Sequence, residues 1–134
     1  MIPQHQKRDW DCHMACVASI LEVPLERMPQ IDPDKDALDW HEEWQEWFAK
    51  QGLVSYDIEF KDSWKKVKGY TIGCVDSQKQ IGRHHSIVCL NGRPVFDPME
   101  SNERTYEPED VEVHTLIVPI NPAVLINANS EVWK

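Results

Sequence analysis

The chain has 134 residues and a mass of 15.7 kDa, the size of one ordinary domain, so a single domain over residues 1–134 is expected. With 41% hydrophobic and 28% charged residues it holds enough apolar material for a core, which excludes a chain that stays disordered. A formal charge of −9 argues against a nucleic acid or an anionic membrane as partner.

The charge is uneven. Residues 31–62 carry 10 acids and 3 bases, and residues 97–112 carry 7 and 1, whereas 63–93 hold 6 bases and 1 acid. The acidic runs read as solvated faces. The start, Met1 to Lys7, lacks the apolar run of a signal peptide, and nothing approaches the roughly 18 apolar residues of a membrane span, so a cytoplasmic protein is expected. In a reducing compartment the cysteines at 12, 16, 74 and 89 are expected to be free thiols, metal ligands or a nucleophile, not a disulfide framework.

Taken in chain order, Met14, Val17, Ala18 and Leu21 fall at helical spacing behind the capping candidate Asp11, with Cys16 and Ile20 alongside. This predicts a short buried helix over 12–22, stopped by Pro24. A second helix is predicted from Asp36 to Gln51. Ala37, Trp40, Trp44, Trp47 and Phe48 form its packing face, acids occupy the other side, and Gly52 is the stop. Val54, Tyr56, Ile58 and Phe60 then alternate with polar residues, the pattern of a half-buried strand.

From residue 69 onward the signals are β: 70–75, 85–90, 95–96 and 113–120, with Asn91-Gly92 as a hairpin turn. The tail from Asn121 shows no period. Helices first and antiparallel sheet afterwards make an α+β fold, an N-terminal buried helix packed on an antiparallel sheet.

Cys12 falls in the first turn of the predicted helix, where unpaired amides and the dipole favour a thiolate. A thiolate nucleophile needs a proton carrier, and His85, opening a strand, is the candidate, with His84 beside it as the alternative. Asp97 lies across the hairpin. Counting outward from the turn, His85 is six positions from Asn91 and Asp97 five from Gly92, nearly opposite, so Asp97 is placed to orient the imidazole. Cys16, Cys74 and Cys89 read as core residues. A separate reading makes Cys12 and Cys16, one helical turn apart, zinc ligands with His84 or His85.

Residues 4–24 and 69–98 resemble the papain-like cysteine peptidases, in particular the small bacterial and phage branch related to the C39 peptidases. Gln6 precedes Cys12 by six. The run from Asp11-Cys12-His13-Met14-Ala15-Cys16 to Leu21 is similar to the family's helix motif, though His13 stands where relatives usually carry glycine. His85-Ser86-Ile87-Val88, Asn91-Gly92 and Asp97-Pro98 are similar to its strand, turn and Asp-Pro motif.

The resemblance implies a papain-like fold and a cysteine hydrolase acting on a protein or peptide without cofactor or metal. It implies Cys12 as nucleophile, His85 as general base and acid, Asp97 as orienting group, and Gln6 with the Cys12 amide as oxyanion hole. A catalytically silent papain-like interaction protein is the remaining alternative.

Overall fold

A computed structural model describes residues 1–8, 10–32, 34, 36–78, 82–99 and 106–120; the tail from Asn121 lies outside them. Helix α1 spans Cys12–Leu21 and α2 spans Ala37–Lys50. The strands are β1 (Leu53–Ile58), β2 (Tyr70–Asp76), β3 (His84–Leu90), β4 (Arg93–Phe96) and β5 (Val113–Pro119). All pairings are antiparallel, in the order β1-β5-β2-β3-β4, so the last strand inserts between the first two. This is the α+β fold expected, two helices on a five-stranded antiparallel sheet.

Small residues let α1 lie close against β2 and β3: Ala15, Cys16, Val17, Ala18 and Ser19 are all buried. The helix ends at Glu22, which turns left-handed at φ 58 while the Val23 amide donates to the Ala18 carbonyl at 3.0 Å, so the stop comes just before Pro24. The N-terminal segment is tied along α1 by the Ile2 amide on the Ser19 carbonyl (3.0 Å) and by the Gln4 side chain, which accepts from the Leu25 amide at 2.7 Å.

Asp36 caps α2 by accepting from the Leu38 amide at 2.9 Å. Trp44 and Phe48 are buried and Trp40 and Trp47 half-buried, but Ala37, in the first turn beyond the sheet's cover, is exposed. The half-buried strand expected here forms as β1, with Val54 and Ile58 half-buried, but it is the alternate set of residues that faces the helices. Leu53, Ser55 and Asp57 face the helices, with the Gln45 side chain donating to the Ser55 carbonyl at 3.1 Å, while Tyr56 and Phe60 are exposed. The helix side of β1 walls a cavity, which tolerates polar residues where a packed core would not.

At the β3–β4 turn Asn91 and Gly92 take φ 51 and 81, as the Asn-Gly signal requires. Gly92 has a second reason to be glycine: a Cβ there would sit 1.9 Å from the Trp64 carbonyl oxygen. One core cluster joins α1 and α2 to Ile72 and Val88, and a second covers the other sheet face with Val75, Ile87, Cys89 and Val111. No helix among the described residues is long and apolar enough to cross a membrane.

Candidate active site

Cys12 is the first residue of α1 and half-buried. Asp11 holds the N-cap position, but its carboxylate does not cap the helix. It turns back to accept from the Arg8 amide at 3.0 Å and the Lys7 amide at 3.4 Å. The first turn of α1 is therefore left without a side-chain cap, and its positive end acts on the sulfur. The Cys12 thiol lies within the electrostatic reach of the His85 side chain and of Ser86 on β3. Burial pushes the thiol up, yet the His85 hydrogen bond and charge, with the Ser86 bonds, outweigh it and bring the group below its ordinary value.

His85 is buried, and its Nε2 lies 2.8 Å from Asp97 Oδ1. That leaves Nδ1 as the ring nitrogen for the Cys12 sulfur. Burial alone would lower the imidazole; the Asp97 and Cys12 hydrogen bonds and charges reverse this and raise it to about 9. Asp97 is fixed in turn by the Met99 amide, which donates to the same oxygen at 2.9 Å. The Tyr106 ring lies 6.1 Å from the imidazole.

The hairpin reaches this geometry by a device that counting from the turn misses. Leu90 pairs with Arg93 and Cys89 with Pro94, but Val88 pairs with Phe96, so Val95 is an extra residue in a β-bulge. Without it, Asp97 would fall opposite Ser86, whose side chain faces the helices. With it, Asp97 comes one step past the Val88–Phe96 pair, on the Ile87 side, and joins the sheet face that carries His85. Since β4 pairs with β3 only as far as Val88, His85 sits at an open edge where its ring reaches Cys12.

The two neighbouring histidines point to opposite faces of β3. His84 is exposed, lies 3.6 Å from Asp76 and lines the cavity with Cys12, whereas His85 is buried beside Asp97. Gln6 is held beside the Asp-Pro segment by its amide, which donates to the Pro98 carbonyl at 2.9 Å. One side-chain N–H donates to the Arg8 carbonyl at 2.7 Å, and among the described residues the second amide proton meets no acceptor. The zinc reading is overturned among the described residues: Cys12, Cys16 and either histidine bring no three ligand atoms together, because Cys16 points into the core. The group that does converge, Asp76, His84 and Glu112, is fully on the surface.

A cavity of about 530 Å³ opens beside Cys12 between the helices and the sheet, walled by Trp40, Trp44, Ser55, Asp57 and Ile72 among others. Three residues on its wall carry chemistry to which the sequence pattern gave no part in the reaction. Cys74 is not a core residue but half-buried on this wall, pushed up to about 11 by burial and nearby negative charges. His13 and Ser86 also line it, and their polar atoms lie 3.4 Å apart. The available signal was His13 itself, an imidazole next to the nucleophile candidate in a motif otherwise built from small and apolar residues.

The layout is shared with a solved peptidase domain. The peptidase domain of Streptococcus ComA, a bifunctional ABC transporter involved in a quorum-sensing pathway, matches 87% of this chain and 96% of its own, with a TM-score of 0.56 and 16% identity. That identity carries the fold and no further. No family model matches the chain, and no curated protein does.

Proposed function

We propose that the chain is a cysteine hydrolase that cleaves an amide-type bond of a protein or peptide: a peptidase, isopeptidase, deamidase or amidase. The observation that carries this reading is the line of contacts from the Cys12 sulfur through the His85 imidazole to the Asp97 carboxylate. A thiol brought below its ordinary value at a helix start, facing an imidazole raised to about 9, favours passing the thiol proton to His85, which is the activation a thiol nucleophile needs. The peptidase domain with the same fold supports the choice of amide chemistry.

In this reading the Cys12 thiolate attacks the carbonyl carbon, and the developing charge on oxygen is met by the Cys12 amide and the free N–H of Gln6. His85 then gives its Nδ1 proton to the leaving nitrogen, the C–N bond breaks, and a thioester to Cys12 remains. Water, deprotonated by His85, attacks the thioester and releases the acid, restoring thiolate and imidazolium. Asp97 stays ionised throughout and holds the ring by Nε2.

The test is an electrophilic cysteine probe at pH 6 to 7 with the modified residue mapped by mass spectrometry. Labelling is expected at Cys12 far ahead of Cys16, Cys74 and Cys89, with His85→Ala removing the preference. Equal, slow labelling of all four contradicts the reading.

A further inference from the structure

His13 is the residue at which the helix motif departs most from small and apolar types, and the reaction just described gives it nothing to do. Its ring stacks edge-on against Trp40 and Trp44, at 4.9 and 5.1 Å between centroids. Its Nδ1 lies 3.4 Å from Ser86 Oγ, and Ser86 shares the cavity wall with Cys12, whose thiol it helps to lower. Ser86 follows His85 directly, so alternation along β3 turns its side chain toward the helices, where it lies on the cavity wall between Cys12 and His13.

We infer that Ser86 is a further hydrogen-bond donor to the Cys12 thiolate, and that His13 is the positioning residue that keeps the Ser86 hydroxyl aimed at the sulfur. The inference rests on Cys12 being the thiolate nucleophile. A serine hydroxyl has one proton to give and two lone pairs. If the proton goes to sulfur, what lies 3.4 Å away at His13 has to be a donor, so Nδ1 carries the hydrogen.

A neutral imidazole suits this, because it brings a fixed N–H and no positive charge that would compete with His85. Burial lowers His13 to about 4, against a smaller upward pull from Asp57 on β1 and a further lowering by His41 on α2. The other titratable groups coupled to the Cys12 sulfur are His85 from β3, Cys74 from β2, Cys16 from α1 and Tyr106, while Asp97, beyond β4, acts on His85. None of these supplies the proton that Ser86 supplies from the cavity side. The nucleophile is thus held from two sides, by His85 at the open edge of β3 and by the Ser86–His13 pair inside the cavity.

The test is the pH dependence of Cys12 alkylation by iodoacetamide in the full chain, with melting temperature recorded in parallel. Ser86→Ala is expected to raise the Cys12 midpoint by about one pH unit, the effect of a lost hydrogen bond to a charged group. Ser86→Thr, which keeps the hydroxyl, is expected to stay near the wild-type midpoint. His13→Phe keeps a ring between Trp40 and Trp44 without the N–H, and is expected to raise the midpoint by about half as much. The double variant is expected to match Ser86→Ala, because the two residues act through one hydrogen bond.

An unmoved midpoint in Ser86→Ala, or shifts from Ser86→Ala and His13→Phe that simply add, overturns the inference while leaving Cys12 as nucleophile. A wild-type Cys12 that titrates at the ordinary thiol value of 9.0 overturns the parent reading and this one together.

Discussion

One helical turn separates Cys12 from Cys16, and the fold treats the two thiols in opposite ways. Cys12 stands at the uncapped start of α1, half-buried, with His85 and Ser86 on its sulfur, and is brought below the ordinary thiol value. Cys16 lies wholly inside the core, where burial and then the neighbouring Cys12, Asp97 and Cys89 charges push it well above that value. Residue type and helix are the same; what differs is access to donors. A thiol is brought down where the chain leaves amides and an imidazole facing it, and becomes packing material about 6 Å further along the same helix, four residues on.

The largest effects come from exchanging the two treatments. Cys12→Ala is expected to abolish turnover and fast alkylation. Cys16→Ser, which buries a hydroxyl in an apolar site, is expected to cost about 1–3 kcal/mol of stability while Cys12 still alkylates first. Peptide mapping of the alkylated chain with denaturant melts checks both arms, and loss of Cys12 reactivity in a folded Cys16→Ser protein counts against the contrast.

Next in size is the hairpin. Inserting one glycine between Phe96 and Asp97 moves the carboxylate one register position, opposite Ser86 and away from His85. The imidazole then loses its orienting partner, and turnover is expected to fall roughly 1,000-fold. Deleting Val95 removes the bulge yet leaves Val88 opposite Phe96, so the His85–Asp97 contact and most of the activity are expected to survive. Equal damage from the insertion and the deletion breaks the register argument.

Gln6→Ala removes one donor to the developing oxyanion and leaves the thiolate in place. The expected outcome is a drop of about 100-fold in kcat with the Cys12 alkylation rate unchanged. A change in alkylation with no change in kcat reverses the assignment.

The smallest effects are on stability against pH, and they take opposite signs at the site's two histidines. His85 is raised from 6.5 to about 9, so its contribution is complete below about 6.5 and is lost as pH climbs through 9. His13 is lowered to about 4, so the unfolded chain binds its proton first, and stability falls as pH drops from 6.5 through 4. Thermal melts across both ranges are expected to flatten on the alkaline side in His85→Ala and on the acid side in His13→Phe.

Much of this was legible in the chain because it is local. The apolar spacing from Met14 to Leu21 marked α1, Asp36 and Gly52 bracketed α2, and Asn91-Gly92 fixed a hairpin, each through rules acting within a few residues. Cys12, His85, Asp97 and Gln6 were all named, and the first three meet. What stayed hidden depends on partners distant in sequence. Nothing local places β5 between β1 and β2, and so nothing shows that Ser55 and Asp57 wall a cavity while Tyr56 faces outward. The carboxylate of Asp11 looked like a helix cap because Asp commonly is one; the preceding turn at Lys7 and Arg8 competes for it. The Val95 bulge and the meeting of Ser86 with His13 follow from sheet register and from packing of α1, which no single-strand pattern encodes.

The central claim is that Cys12 and His85 form an ion pair held by Asp97. Its most direct measurement is an NMR titration of the His85 ring in wild type and in Cys12→Ala. The imidazole is expected to stay protonated until about pH 9 in the wild type and to drop toward its ordinary 6.5 once the thiolate is gone. A His85 that titrates near 6.5 in the wild-type protein, or one that is indifferent to the loss of Cys12, contradicts it.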